Sequence, residues 1–179
     1  VSKEALGGPD VHIHQSGVAH NLAPNDADAL AMARLYLSYF PSNSWQRPPQ
    51  RMGSDCEERR LDDILALVPA DDRKPYKMRK LLALLVDRDS LIEIQPHFGS
   101  GLVTALARLG GEAVALVAND PSSRTGTLDR DAAEKGARFL ELVGSFHFPV
   151  IFLADNPGVM AGTAAEREGA LRAAARMFS

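Results

Sequence analysis

The sequence predicts an α/β fold built on two parallel strands, and three consecutive segments carry that prediction. Residues 113–118 and 150–154 are apolar runs with the length and the Val, Ile, Leu and Phe content of buried strands. Between them, residues 131–148 repeat small and apolar side chains three and four positions apart, which is typical of an amphipathic helix. Strand, helix and strand form a βαβ unit, whose strands are parallel and whose crossover is right-handed.

The sequence also indicates where this helix ends and which face it buries. Asp129 and Asp131 provide a cap and acidic charge at its N-terminus, and Pro149 stops it. The stripe expected to face the core consists of Ala133, Gly136, Ala137, Leu140, Val143 and Gly144.

A strand and a helix are predicted near the start of the chain. Apolar and polar residues alternate over residues 11–15, and this period of two predicts a strand. A helix is predicted from Asn25 or Asp26 to Phe40, where Pro41 ends it. Its buried stripe is expected to consist of Ala29, Met32, Ala33, Tyr36 and Leu37.

A boundary follows this first part. Residues 42–60 have no apolar period, contain adjacent prolines and are rich in charge, so a domain linker is predicted at 45–60. The elements predicted beyond it are helices at 61–68, from residue 74 onwards and at 164–177, and strands at 90–95 and 102–109.

Composition and charge exclude several classes of function. Hydrophobic residues make up 45% of the 179 residues, and a net charge of −3 with a pI near 6.0 favours neither nucleic acid nor an anionic membrane as a partner. No window approaches the ~18 apolar residues of a membrane span. The single cysteine, Cys56, fits a reducing compartment, so a cytoplasmic protein is expected. Val1 stands in place of a start methionine and no signal-peptide pattern follows it, which predicts a trimmed fragment.

A binding site is expected where the two parallel strands end. Loops of turn residues follow them at 119–123 and 155–158, and ligands of parallel sheets bind at that edge. In the second loop, which leads through Gly162 into the last helix, glycines let backbone N–H groups face an anion or an oxyanion. A plain strand-to-helix turn explains the same residues equally well, and residues 119–127 are expected to form a surface loop.

Other candidate sites are weaker. His12 and His14 are suited to bind a metal from one strand face, but no acidic or cysteine partner stands at a metal-site spacing, which favours a surface pair. His97 and Ser100 lack the G-x-S-x-G pattern, so a serine nucleophile is not predicted. The Gly-rich phosphate-binding patterns G-x-x-x-x-G-K-[ST] and G-x-G-x-x-G are also absent from the sequence.

Short stretches along nearly the whole chain recur, in the same order, in one known family. They are LGG (6–8), SGV (16–18), LSYFPSN (37–43), LVPAD with KPY (67–76), LVT (102–104), VAN (117–119), AAEK with RF (132–139), and PG (157–158) with Gly162 and Glu166. In these stretches the chain resembles the carboxyltransferase component (beta subunit) of biotin-dependent acyl-CoA carboxylases, the acetyl- and propionyl-CoA carboxylase family.

The resemblance implies a crotonase-like (ClpP/crotonase) fold, a ββα superhelix repeated in two domains and assembled as a hexamer. It places residues 1–44 at the end of the first domain, 45–60 in the linker and 61–179 at the start of the second domain. The family's Gly-rich oxyanion segments are then expected upstream of Val1 and downstream of Ser179.

The implied reaction transfers the carboxyl group of carboxybiotin, delivered on a carrier protein, to the α-carbon of an acyl-CoA. The implied partners are biotin carboxylase, the biotin carboxyl carrier protein and further copies of the chain, and no metal is implied for this component. Because the family works through backbone oxyanion holes, no catalytic side chain is assigned.

Five residues occupy the positions of the family's pocket loop: Asn156, Pro157, Gly158, Val159 and Gly162. The resemblance implies that they shape the pocket, and that backbone N–H groups at Gly158, Val159 and Gly162 face carboxybiotin or the acyl group. Many relatives carry phenylalanine where this sequence has Val159, and the smaller residue is expected to reshape that pocket.

Two alternatives stay open. Another acyl-CoA enzyme of the crotonase superfamily, a decarboxylase or a hydratase, would share the fold, and a hydratase would need no biotinylated partner. A non-catalytic assembly domain would bind a carboxyltransferase without turnover. The sequence does not separate long from short acyl-CoA substrates.

Overall fold

A computed structural model describes residues 1–51, 61–71 and 73–179, in which four strands form one sheet with the order β1-β2-β3-β4. Its strands are β1 (Ile92–Ile94), β2 (Leu102–Leu109), β3 (Glu112–Asn119) and β4 (Val150–Leu153). Its helices are α1 (Lys3–Gly7), α2 (Pro9–His14), α3 (Asp26–Leu37), α4 (Asp63–Leu67), α5 (Met78–Leu85), α6 (Arg130–Ser145), α7 (Thr163–Glu168) and α8 (Ala170–Met177).

The predicted βαβ unit is present. β3 and β4 pair in parallel, with Ala115 opposite Val150, and α6 connects them. The side chain of Asp129 caps α6 by accepting a hydrogen bond from the Ala132 N–H at 2.8 Å, which confirms the predicted start. The strands before this unit, β1 and β2, pair antiparallel, and β2 also pairs antiparallel with β3.

The sheet is covered on both faces because alternate side chains of its strands point to opposite sides. Leu102 and Leu106 of β2 pack in a core with α6, α8 and Tyr39. Val103 and Ala105, the alternate residues of the same strand, pack in a second core with α5. Burial on both faces explains why β2 and β3 read as continuous apolar runs.

The buried face of α6 is partly as predicted. Ala133, Gly136, Ala137 and Val143 are buried, whereas Leu140 is half-buried and Gly144 is exposed near the end of the helix. The residues buried in addition to the predicted ones are Ala132, Lys135 and Phe139.

The prediction of a strand over residues 11–15 is wrong. This segment belongs to helix α2, which begins after Gly8 with Pro9 in its first turn. A fixed proline φ favours helix at that position, and an alternation over only five residues is too short to separate a strand from a helix. Only Ile13 of this helix is buried.

The predicted start of helix α3 is confirmed, but the helix ends at Leu37 and not at Phe40, and its predicted burial is wrong. Asn25 caps it by accepting from the Asp28 N–H at 2.9 Å. Met32 and Tyr36 are only half-buried and the rest of the predicted stripe is exposed, because that face borders an open groove beside β1. The three exposed residues are Ala29, Ala33 and Leu37.

Two further boundaries, and the burial of one strand, differ from prediction. The helix expected from residue 74 begins at Met78, since Lys77 before it is extended. The helix predicted over 164–177 is two helices, because Gly169 adopts a left-handed conformation (φ 83°) between them. β4 is not buried: it has only β3 as a neighbour among the described residues, and Phe152 is 52% exposed.

The first fifty residues are fastened to the sheet by polar contacts. The Asn21 side chain donates to the Glu93 carbonyl at 2.8 Å and accepts from the Gln95 N–H at 3.3 Å. Tyr39 donates to the Ser90 carbonyl, and it belongs to the core. The buried guanidinium of Arg108 donates to the carbonyl groups of Pro49, Gly111 and Ser38.

The linker predicted at 45–60 falls mostly outside the described residues, and so does Cys56. Residues 45–51 contain neither helix nor strand, and the Arg51 N–H donates to the Gly111 carbonyl at 2.9 Å. The domain boundaries at 44 and 60 stay predictions. Within the described parts of the chain, no helix has the length and apolar character that crossing a membrane requires.

Candidate functional site

The loops that follow β3 and β4 meet at the C-terminal edge of the parallel pair. The Leu128 N–H donates to the Gly158 carbonyl at 3.1 Å, and the Met160 N–H donates to the Leu128 carbonyl at 2.9 Å. This short parallel bridge brings the segment before α6 against the pocket loop predicted from sequence. The two loops in which a binding site was expected therefore lie against each other at this edge of the sheet.

Two asparagine side chains also connect the loops through hydrogen bonds. Asn119, the last residue of β3, is buried and donates through Nδ2 to the Gly126 carbonyl at 2.9 Å. Asn156 donates through Nδ2 to Oδ1 of Asn119 at 2.7 Å. The direction of both amides is thus set by the backbone carbonyl of Gly126.

The turn that precedes Leu128 approaches the second loop closely. Gly126 has a φ of 71°, and a Cβ built there would lie 2.5 Å from the carbonyl oxygen of Asp155. Arg124 and Thr125 also have positive φ, at 49° and 56°. A left-handed turn with glycine at its closest point therefore lets the two loops touch.

A cavity of about 620 Å³ opens beside these loops. Tyr76 forms one wall and donates a hydrogen bond from its hydroxyl to Asp155 Oδ2 at 2.8 Å. Burial and this hydrogen bond to a carboxylate raise the pKa of Tyr76 to about 12, so the phenol stays protonated and remains a donor. The other residues around the cavity are Val68, Pro69, Asp71, Arg73, Lys74, Pro75, Pro121, Thr125, Asn156 and Pro157.

An ion-pair network lies behind the first loop. Arg79 of α5 binds both carboxylate oxygens of Glu93, at 2.7 and 2.8 Å, and Asp120 Oδ2 at 2.6 Å. The Asp120 side chain is only 3% exposed, and its other oxygen accepts from Ser122. Hydrogen bonding to Glu93 raises the pKa of Arg79, which supplies the charge that a buried Asp120 requires.

Lys135 of α6 is fully buried and binds the chain just after β1. Its ammonium donates to the carbonyl groups of Gln95 at 3.1 Å and Phe98 at 2.7 Å. Burial lowers the pKa of Lys135 to about 8. The amine therefore holds the 95–98 turn in place, and it does not reach the cavity.

Only two of the five predicted pocket residues line the cavity. Asn156 and Pro157 line the cavity, whereas Gly158, Val159 and Gly162 do not. A Cβ at Gly158 or Gly162 would meet no atom within 4 Å, so their outer sides are open. The roles assigned to these residues stay predictions.

The other candidate residues, His12, His14, His97 and Ser100, do not form the sites considered for them. Nδ1 of His12 lies 3.0 Å from the Ser16 hydroxyl, and the ring of His14 lies 4.9 Å from that of His97. The hydroxyl of Ser100 lies 2.8 Å from that of Ser123 and forms a hydrogen bond with it. Across residues 1–51, 61–71 and 73–179, no group of three or more His, Cys, Asp or Glu side chains is placed to hold a metal ion.

Sequence analysis assigned no individual role to the polar residues around the site, namely Tyr76, Arg79, Asn119 and Asp120, although the last two lie in the loop expected at the end of β3. The expectation of a surface loop at 119–127 is wrong at its start, because Asn119 and Asp120 are buried. A polar pair directly after an apolar strand was the available signal. Tyr76, Arg79 and Lys135 gave no such signal, since their partners are distant in sequence.

This architecture is the crotonase-like fold that the resemblance implied. It superimposes on the transcarboxylase 12S core with a TM-score of 0.94 and 33% identity, covering 99% of this chain and 34% of that one. That structure is described as a hexamer, with methylmalonyl-coenzyme A and methylmalonic acid bound.

Residues 1–179 match the carboxyl transferase domain, and the chain belongs to this family. It is 39% identical to the uncharacterized carboxylase YngE of Bacillus subtilis, over 100% of this chain and 35% of that protein. It is 38% identical to the propionyl-CoA carboxylase carboxyltransferase subunit of Haloferax mediterranei, over 99% of this chain and 34% of that subunit. The chain thus spans about a third of the length of these relatives.

Proposed function

We propose that the chain is part of a biotin-dependent acyl-CoA carboxyltransferase, which moves the carboxyl group of carboxybiotin to the α-carbon of an acyl-CoA. The observation that carries this proposal is the match of the whole chain to the transcarboxylase 12S core, whose structure contains methylmalonyl-coenzyme A. In this proposal residues 1–44 form the end of the first domain, residues 45–60 form the linker, and residues 61–179 form the start of the second domain. A cytoplasmic location belongs to the same proposal.

The cavity has the chemistry that the ring system of biotin needs. Its volume of about 620 Å³ is that of a small-ligand pocket. Four prolines supply apolar wall, and the oxygens of Asp155 and Asn156 supply acceptors for the N–H groups of a cyclic urea. Biotin, when bound, carries the carboxyl group that is transferred. The four prolines are Pro69, Pro75, Pro121 and Pro157.

The chain's own residues keep this cavity in shape. Tyr76 holds Asp155 from one side, and Asn119 holds Asn156 from the other. Arg79 pairs with both Asp120 and Glu93 behind the first loop, so its positive charge partly offsets the negative charge that a carboxylated ligand would meet. Biotin carboxylase, the biotin carboxyl carrier protein and a hexameric assembly are the proposed partners, as the family implies.

The test uses the full-length natural protein with methylmalonyl-CoA or malonyl-CoA, with and without biotin as acceptor. We expect decarboxylated acyl-CoA to form at a rate that depends on biotin and saturates with it. Formation at the same rate without biotin would identify a decarboxylase instead. No turnover with a panel of acyl-CoA substrates, together with binding to an active carboxyltransferase, would identify an assembly domain.

A further inference from the structure

The backbone fixes which way the amide of Asn119 points. The Gly126 carbonyl can only accept, so the Asn119 side chain presents Nδ2 to it, at 2.9 Å. Oδ1 of Asn119 is therefore turned toward Asn156. Because Asn119 is buried, turning its amide over would leave the Gly126 carbonyl facing an oxygen, without a donor.

Asn119 in turn fixes the amide of Asn156. Oδ1 of Asn119 accepts from Nδ2 of Asn156 at 2.7 Å, so the donor end of Asn156 points inward. Among the described residues, no donor reaches Oδ1 of Asn156. Since Asn156 lines the cavity, its oxygen is the end available to a ligand.

We infer that Asn119 is a positioning residue that holds the Asn156 carboxamide with its oxygen available in the cavity as an acceptor for a ring N–H of biotin. This inference rests on the proposed function and adds a residue-level basis for recognition of the cyclic urea. A cyclic urea presents N–H donors on its ring, and a fixed acceptor matches such a donor whereas a fixed N–H would repel it. An amide free to turn would offer the wrong end part of the time.

The experiment measures the dissociation constant of biotin methyl ester for the full-length protein by titration calorimetry. This probe is neutral, so charge on its side chain does not contribute. Asn156→Ala is expected to weaken binding about five-fold, the effect of one hydrogen bond. Asn119→Ala is expected to weaken it to a similar extent, and the double variant no further, because Asn119 acts through Asn156. Asn43→Ala, which removes an exposed amide that does not line the cavity, is the matched control.

A second variant separates positioning from stability. Asn156→Asp has an oxygen at both ends of its side chain, so it presents an acceptor whichever way it turns. With Asn119 in place, one of those oxygens would face Oδ1 of Asn119, so the variant is tested together with Asn119→Ala. We expect the double variant to bind the probe within about two-fold of wild type, because its acceptor no longer depends on residue 119. If Asn119→Ala does not fold, Asn119→Ser, whose hydroxyl can still donate to the Gly126 carbonyl, replaces it. A double variant that binds as weakly as Asn156→Ala would overturn the inference.

Failure of the inference and failure of the proposed function give different results. A wild-type protein that binds the probe and transfers carboxyl groups, with Asn156→Ala and Asn119→Ala binding as tightly as wild type, overturns the inference and leaves the function standing. A folded wild-type protein that neither binds the probe nor shows biotin-dependent turnover overturns both.

Discussion

Replacing Lys135 by methionine should make the stability of the protein less dependent on pH. The side chain is fully buried, and its two hydrogen bonds go to the carbonyl groups of Gln95 and Phe98. Methionine fills a similar volume but donates nothing, so both carbonyl groups lose their partner. At about 2 kcal/mol for each buried group left unpaired, the cost is about 4 kcal/mol when the lysine is neutral.

At lower pH the folded wild-type protein is destabilised, because Lys135 then carries a charge in a buried position. Burial lowers the pKa of Lys135 from 10.5 to about 8. Between these pH values the unfolded chain carries a proton that the folded chain lacks, so the free energy of unfolding rises with pH across this window and is flat outside it. The rise is about 3 kcal/mol at 1.36 kcal/mol per pH unit. Lys135→Met should therefore destabilise by about 1 kcal/mol at pH 7 and about 4 kcal/mol at pH 10.5.

Urea unfolding of both proteins at several values from pH 7 to pH 10.5 measures this difference. Subtracting one protein's pH dependence from the other's removes the contribution of all other titrating groups. Lys135→Arg serves as a second comparison. Arginine stays charged above about pH 10.5, so the free energy of unfolding of this variant should not rise through deprotonation of residue 135. A wild-type advantage that stays constant or shrinks as pH rises would refute a buried, readily deprotonated amine at this position.

Three further outcomes are expected. Gly126→Ala should lower the free energy of unfolding by about 3 kcal/mol, and Gly110→Ala by about 1 kcal/mol. Both glycines have positive φ, but only a Cβ at residue 126 would collide with the Asp155 carbonyl, so equal losses would contradict this contact. Arg79→Lys should cost about 2 kcal/mol in urea unfolding, since an ammonium cannot replace the guanidinium fork; no change would contradict the network. Tyr76→Phe should raise the KM for biotin about five-fold while changing stability by under about 1 kcal/mol, and an unchanged KM would remove Tyr76 from the site.

Gly158→Val is a poor test of the pocket loop. A Cβ at this position meets no atom within 4 Å, but the φ of 120° strains any side chain. The substitution would therefore lower folding stability as well as turnover, and it cannot isolate a role in ligand binding. Variants of Asn156 are the better probe, because this residue is exposed and has no such backbone constraint.

The elements that the sequence predicted well are those with long, strong periodicity. The runs that became β3 and β4, and the helix between them, had enough residues to separate a period of two from one of 3.6. The segment that became α2 did not. For α3 the period predicted the helix, but periodicity does not tell whether another element covers the apolar stripe, and no residue of α3 is buried.

The candidate site was predictable in position but not in detail. Strand ends and turn residues located the edge where the two loops meet. The contacts that shape the cavity join residues far apart in sequence: Tyr76 and Asp155 are 79 positions apart, and Arg79 and Asp120 are 41. Such pairs follow from the packing of α5 against the sheet, which no local pattern encodes.

The side chain of Asn21 has a consequence for how this sheet can extend. Its amide pairs with the Glu93 carbonyl and the Gln95 N–H, the two backbone groups that a neighbouring strand would use beside β1. Asn21 thereby occupies two of the backbone groups through which a further strand could pair with this border. At the opposite border, beside β4, the described residues form no further strand, so the sheet can accommodate an added strand more readily there.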